Sequence, residues 1–391
     1  MRIGILTFHK AINYGAYLQA FSLSNKLHEN FPNADIEIID YSHPSGEYRK
    51  AYLVLRNIRH YGIKGGLTEL KRISAFKSAQ HHLPRSPRSF CTKNPEKLYA
   101  YINERYDALI IGSDAVFNWN QTGFPTVFIP NYPFSIPVYT YAASVHGLEF
   151  FSVEKDKLQH CSAAFDRMKY IGVRDACSEK FVKFCSPDAK TIHCCDPTLF
   201  LDTNAVYEKG RRVADRLEEH YGFSLDSKYI VVMAPDSRMV DAIAKKYGKN
   251  YRIVSVFVKS TYADTFAYDL DPFEWAVVLR HASLVVTSYF HGTLLSLVQG
   301  NPAIVLDYSH YCNSQYESKL KDLMLTRLHL PELYFSEQDA AQFCEDEFFF
   351  ANLDQLLNRT YDKRIADAVE KEKATAEDFL KILQSAGEFS K

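Results

Sequence analysis

Short apolar runs alternate with amphipathic stretches along most of the chain. Ile3 to Phe8 has the continuous apolar character of a buried strand, and Tyr17, Leu18, Phe21 and Leu27 recur at helical spacing over Gly15 to Leu27. Ile36 to Tyr41 then reads as a strand. Further strands are expected at Ala108 to Ile111, Val138 to Tyr141, Tyr170 to Val173 and Thr191 to Cys194, with a helix from Val153 to Phe165. A second series begins near residue 203. A helix reaching about Tyr221 precedes strand Tyr229 to Met233, helix Met239 to Tyr247 and strand Tyr251 to Phe257. Asp271-Pro272-Phe273-Glu274 has the form of a helix start, with Asp as cap, Pro at the first position and Glu three after the cap. Strand Leu284 to Thr287, helix Thr293 to Val298 and strand Ala303 to Leu306 complete the series.

Strands alternating with helices imply βαβ units and parallel sheets. The expected fold class is α/β, with two facing Rossmann-like domains, a cleft between them and a C-terminal helix. The expected boundaries are 1–202, 203–345 and a helical tail, 346–391. The helix Arg364 to Leu383 either packs back across the junction or forms a solvated end. Ligands should collect outside the carboxyl ends of the strands, in the cleft.

Composition narrows the class. With 391 residues, two or three domains are expected, and 47% hydrophobic with 24% charged residues is ordinary globular usage. A net charge of −1 argues against nucleic acid as a partner. The 26 Tyr and 27 Phe against 2 Trp suit polar ligands such as sugars, and equally a tyrosine-rich core. The eight cysteines include no C-x-x-C pair, so neither a zinc site nor a disulfide framework is expected, and no metal is assigned. His193-Cys194-Cys195-Asp196 reads better as a packed strand end than as a ligand cluster, because successive strand residues face opposite ways. Reduced thiols, an N-terminus that reads as a strand and the lack of any apolar run near ~18 residues point to a cytoplasmic chain. Between Glu47 and Lys93 eleven Lys and Arg oppose two Glu, with Tyr and Phe interleaved. Such a segment suits peripheral contact with an anionic inner membrane face or a phosphate-bearing acceptor. It also suits a helical excursion with a solvated face.

Three strand-to-helix junctions carry candidate chemistry. In Asn13-Tyr14-Gly15, Asn13 can cap the following helix and Gly15 permits close approach of a ligand. In Ile110-Ile111-Gly112-Ser113-Asp114, a strand delivers a carboxylate to its carboxyl end; a cap or turn role for Asp114 is the alternative. In Thr287-Ser288-Tyr289-Phe290-His291-Gly292-Thr293, an apolar strand ends in hydroxyls and His291 stands before a helix opened by Gly292 and Thr293. A helix start favours an anion by roughly 0.3–1 kcal/mol.

Six stretches in order, N-Y-G-A-Y-L-Q-A-F-S-L, I-I-G-S-D-A-V-F-N, Y-A-A-S, I-G-V-R-D, D-P-T-L-F-L and A-S-L-V-V-T-S-Y-F-H-G-T, resemble the polysaccharide pyruvyl transferase family over about residues 1 to 310. The resemblance implies a fold like that of GT-B glycosyltransferases. It also implies transfer of an enolpyruvyl-derived unit from phosphoenolpyruvate to a sugar of a surface-glycan precursor, free or lipid-linked, leaving a pyruvate ketal. No cofactor is implied beyond the donor itself. His291 then matches the family's acid/base histidine, with Asp114 as second catalytic candidate. Arg174 matches an arginine suited to an anionic donor, an ion pair with Asp175 or another acid being the alternative, with Ser288, Gly292 and Thr293 on the donor side. Asn13, Tyr14, Gly15 and Ser113 fall on the acceptor side. Two departures stand out: Tyr289 replaces an arginine that many members carry two positions before the histidine, and Ala115-Val116-Phe117 replaces a common Gln-Val-Trp. Lys259 or a cation of the basic segment is the expected substitute. The alternatives are a GT-B glycosyltransferase using a nucleotide sugar and a non-catalytic glycan-binding member.

Overall fold

The computed structural model describes residues 1–234, 237–308, 318–336, 339, 347–358 and 363–386; Cys312 and Cys344 lie outside them. The first sheet comprises β1 (Arg2–Leu6), β2 (Asp35–Ser42), β3 (Arg85–Cys91), β4 (Ala108–Ile111), β5 (Val138–Ala143), β6 (Tyr170–Val173) and β7 (Thr191–His193), in the order β3-β2-β1-β4-β5-β6-β7. The second comprises β8 (Tyr229–Met233), β9 (Arg252–Val256), β10 (Thr265–Ala267), β11 (Leu284–Thr287), β12 (Ala303–Asp307) and β13 (Tyr334–Ser336), ordered β10-β9-β8-β11-β12-β13. All pairings are parallel, from Ile3 opposite Ala108 to Val285 opposite Ala303. Strands covered on both faces by helices must be apolar throughout, and β4, β8 and β11 are buried at every position.

The helices that shape the site are α1 (Tyr14–Asn30), α2 (Pro44–Ala79), α3 (Ala176–Cys185), α4 (Pro272–His281), α5 (Phe290–Val298) and α6 (Lys363–Ser385). Asn13 caps α1 by accepting from the Ala16 N–H at 3.1 Å. The capping box expected at Asp271 and Glu274 is complete and opens α4. The basic segment expected as a helical excursion is α2 followed by β3, which extends the sheet at its edge.

An aromatic seam joins the halves. Tyr14 lies edge-on to Phe257 (5.0 Å), Tyr17 to Phe273 (5.6 Å) and Phe21 to Phe273 (5.3 Å). The Tyr14 hydroxyl donates to the Leu270 carbonyl of the other half. Much of the aromatic excess therefore serves packing. α6 returns to the first sheet: Phe379 meets Tyr141 at 5.1 Å, and the Thr375 hydroxyl accepts from the Cys195 N–H at 3.1 Å. Glu372 adds a 2.9 Å contact to His193. The C-terminal helix is a strap across the junction, and its inward face (Ile365, Val369, Ala376, Phe379, Leu383) is buried.

Candidate functional site

The carboxyl ends of β4, β6 and β7 bring three charged side chains together under the cleft. After β4 the chain turns at Asp114, whose φ of 74° and bridge to Ala143 hold its backbone against the end of β5. β6 ends in Arg174, with its N–H bonded to the Ala143 carbonyl. β7 leads through buried Cys194 and Cys195 to Asp196, whose Oδ1 accepts from Thr198 N–H at 2.9 Å. Arg174 Nη1 donates to Asp196 Oδ2 at 2.8 Å and lies 3.6 Å from Asp114 Oδ1. Asp175, the neighbouring acid, caps α3 and accepts from Ser144 Oγ at 2.6 Å, so it is not Arg174's partner.

The second half supplies the facing wall. α5 begins at Phe290, one turn earlier than the sequence pattern indicates, and Tyr289 caps it without a side-chain bond. His291 is therefore inside the first turn rather than before it. Its Nε2 lies 3.6 Å from Asp196 Oδ2 and has no hydrogen-bond partner, although the residue is buried. Phe290 places its ring 4.4 Å under the Arg174 guanidinium and 5.2 Å from Lys319 Nζ. Such contacts contribute roughly 0.5–2 kcal/mol each. Arg174, Asp196, Phe290 and Lys319 line a small cavity together with Arg327 and Glu372.

Its lining mixes charges: Arg174, Lys319 and Arg327 stand among Asp175, Asp196, Asp322 and Glu372, and Arg174 and Arg327 are paired with Asp196 and Asp322. Arg174 is 4% exposed, yet its Nε and Nη2 have no partner. Buried donors are almost always satisfied, so these nitrogens and the His291 Nε2 make this a candidate place for a ligand or a bound water. Burial by itself would raise the Asp196 carboxyl, but His291 and Arg174 override it and hold it far below the carboxylate range. Asp114 is likewise lowered against its burial, by His291, Arg174 and Lys319. Burial and the charge of Arg174 push Lys319 down to about 8. Both aspartates are thus anionic acceptors.

The sequence-predicted residues divide. The structure brings His291, Arg174 and Asp114 together. It does not present Thr293, whose hydroxyl turns back to the Tyr289 carbonyl at 3.3 Å, or Ser288, whose hydroxyl turns to the Met233 carbonyl at 3.3 Å. Gly292 packs against Thr287 and Met233. Tyr14 spends its hydroxyl on Leu270, and Ser113 is fully buried behind Asp114. Gly15 does permit a close approach, but of His291: a Cβ there would overlap the imidazole. Asn13 is exposed, with its side-chain oxygen engaged as a cap. Sequence reasoning missed Asp196 and Lys319. Asp196 had a signal in D-P-T-L-F-L; Lys319 follows a stretch without periodicity and had none.

Residues 13–310 match the family model of polysaccharide pyruvyl transferase. No curated protein matches the chain. Among solved structures, a putative UDP-N-acetylglucosamine 2-epimerase from Listeria monocytogenes superposes with a TM-score of 0.53 at 9% identity, covering 99% of this chain and 97% of that one. The UDP-GlcNAc 2-epimerase from Methanocaldococcus jannaschii, in complex with UDP-GlcNAc and UDP, gives 0.50 at 11% identity over 98% and 99%. These likenesses agree with the paired parallel sheets in showing a GT-B-like fold. The family match spans well over half of the chain and includes Asp114, Arg174, Asp196 and His291; this chain belongs to the polysaccharide pyruvyl transferase family, a family of transferases.

Proposed function

We propose that the chain transfers a pyruvyl unit from phosphoenolpyruvate to two hydroxyls of a sugar in a glycan precursor, releasing phosphate and leaving a pyruvate ketal. The observation that carries this reading is the pair of buried Arg174 nitrogens without a partner, Nε and Nη2, in a cavity that Lys319 also lines, with His291 Nε2 across Asp196 from them. The donor bears a carboxylate and a phosphate. Arg174 offers a planar pair of N–H groups suited to one of them, and Lys319 a point charge suited to the other.

Protonation of the donor's methylene carbon creates an oxocarbenium centre at the adjacent carbon. One sugar hydroxyl adds there, phosphate leaves, and the second hydroxyl closes the ketal. Each addition releases one proton: one replaces the proton given to carbon, and the other leaves with the phosphate as hydrogen phosphate. We assign the exchange of these protons to His291, a role worth roughly 10²–10⁴ in rate. Asp196, 3.6 Å away, stabilises a charged imidazole and fixes its direction. Asp114, held anionic, accepts hydrogen bonds from the acceptor and faces the developing positive charge.

Incubation with phosphoenolpyruvate and a panel of glycan acceptors is expected to release phosphate only when an acceptor is present. Absence of release with every acceptor, together with thermal stabilisation by a nucleoside diphosphate and none by phosphoenolpyruvate, would replace this reading with a nucleotide-sugar transferase.

A further inference from the structure

α2 differs from the rest of the surface. It turns back at Gly62, where φ is 69° and ψ −169°. A Cβ on Gly65 or Gly66 would collide with Asn57 or Ile58, and Asn57 Nδ2 donates to Glu69 Oε2 at 2.9 Å. Residues 44–61 and 63–79 are therefore two arms of a hairpin. The second arm is anchored, with Phe76 against Tyr14 and Tyr17. The first arm meets the second through Asn57 and Glu69, and the tip meets the second half through Tyr61. Of the twelve large hydrophobic side chains exposed among the described residues, eight lie on α2, including Tyr48 (77% exposed), Leu55 (65%) and Ile63 (75%). Tyr48, Tyr52 and Leu55 follow the 4-then-3 spacing of a single helix face.

Charge accompanies the apolar surface. Residues 44–79 carry eight Lys and Arg against Glu47 and Glu69, and Glu69 is buried and held by Arg72 at 2.5 Å. Arg49, Arg56, Arg59, Lys64 and Lys71 are exposed. Clustered exposed apolar side chains in water mark a contact surface. A second copy of this chain fits poorly, because a two-fold contact would set the same basic face against itself. Nucleic acid offers no apolar phase for leucine and isoleucine. An anionic bilayer satisfies both halves of the pattern: tyrosines and aliphatic side chains enter the headgroup boundary while the cations meet lipid phosphates. Tyr61 at the tip lies 5.7 Å from Lys259 Nζ of the second half, which places the hairpin at the mouth of the cleft.

We propose that the α2 hairpin docks the protein on an anionic phospholipid surface, with Tyr52, Leu55 and Ile63 in the headgroup boundary and Arg56, Arg59 and Lys64 on the phosphates. Docking there brings the cleft next to the bilayer, where an acceptor held by a lipid would be met.

The test is co-sedimentation of the full chain with vesicles of phosphatidylcholine alone and of phosphatidylcholine mixed with phosphatidylglycerol. Binding is expected only to the second, weakening as salt rises. Reversing two charges, Arg56→Glu with Arg59→Glu, is expected to weaken it by about tenfold or more, from roughly fivefold per basic residue near the surface. Tyr52→Ser with Leu55→Ser and Ile63→Ser is expected to weaken it independently, so misfolding of either variant leaves the other as a test. Equal binding to both vesicles, or none to either at low salt, overturns the proposal. So does a dimer in solution that the triple serine variant dissolves, because a second copy then covers this face. The measurement uses neither donor nor acceptor, so its failure leaves the transfer reaction untouched.

Discussion

Gly15→Ala tests the site's geometry with the smallest possible change. Gly15 is the second residue of α1, and in a helix Ala is ordinarily preferred to Gly by ~1 kcal/mol. Here the added Cβ would overlap Cγ, Nδ1 and Cβ of His291. Carbon atoms rest at about 3.5–4.0 Å, so the two groups must separate by on the order of 1 Å. Rotating the imidazole cannot relieve an overlap that includes its own Cβ; α5 must move away from α1. Overpacking costs about 1–3 kcal/mol, which the helical preference partly offsets. A net destabilisation of roughly 0–2 kcal/mol is expected in urea unfolding. Catalysis has no such compensation, and a misplacement near 1 Å costs about 10²-fold. The expected variant is folded, slightly less stable and about a hundredfold slower in donor-dependent phosphate release. Wild-type kcat/KM in a folded Gly15→Ala protein would refute the placement of His291 against α1 as a catalytic constraint.

The remaining predictions concern the cleft's charges and the seam. Arg174→Ala leaves Asp196 and Asp114 buried without their cation and is expected to destabilise the fold by about 3–5 kcal/mol. Arg174→Lys is expected to keep more stability but to raise the donor KM, because the free N–H pair is gone; an unchanged KM counts against the anion site. Lys319 sits at about 8 in the fold, below its ordinary value. Its charge is thus a cost to the empty protein at neutral pH, relieved as pH rises from about 8 towards ~10.4. Lys319→Met is accordingly expected to raise Tm at pH 7 while raising the donor KM. In the wild type kcat/KM should fall above about pH 8, and in Lys319→Arg that fall should disappear. A lower Tm with unchanged KM in the Met variant would contradict this. Tyr14→Phe leaves the Leu270 carbonyl without its donor and is expected to cost about 1–3 kcal/mol in unfolding with little change in the acceptor KM. A changed acceptor KM at wild-type stability would restore Tyr14 to the acceptor site.

The strands were legible where burial on both faces makes them continuous apolar runs. Ala108–Ile111, Tyr170–Val173, Tyr229–Met233 and Leu284–Thr287 fall at the bounds their sequences indicate. β3 was not, because an edge strand needs only one covered side: R-S-P-R-S-F-C carries charges and a proline and looks like a loop. The start of α5 was misplaced for a local reason. Its cap, Tyr289, makes no side-chain bond, so Gly292 and Thr293 resembled the opening of the helix. Asp114 and His291 could be found because each follows an apolar run; Arg174 was found only through the family resemblance. Asp196 could not be paired with Arg174 from spacing, since 22 residues separate them and only the adjacency of β6 and β7 joins them.

Tyr289 changes which part of the cleft must supply positive charge. Where many family members place an arginine, this chain places a ring 5.6 Å from Phe257, extending the aromatic seam that includes Tyr14 and Trp275. Of the expected substitutes, Lys259 faces Tyr61 at the hairpin tip, while Arg72, paired with Glu69, keeps a buried Nε without a partner and acts on the Tyr289 hydroxyl through its charge. Lys319, brought in after β12, stands instead on the Phe290 ring beside Arg174. Two cations sharing one aromatic ring repel each other, and Arg174 indeed lowers Lys319 while Asp114, Asp175 and Asp196 oppose the shift. A bound dianion would relieve that repulsion and take up the unpartnered nitrogens of Arg174 in the same step. On the proposed reading, the loss of one arginine does not empty the site of positive charge, because Lys319 stands beside Arg174 on the Phe290 ring.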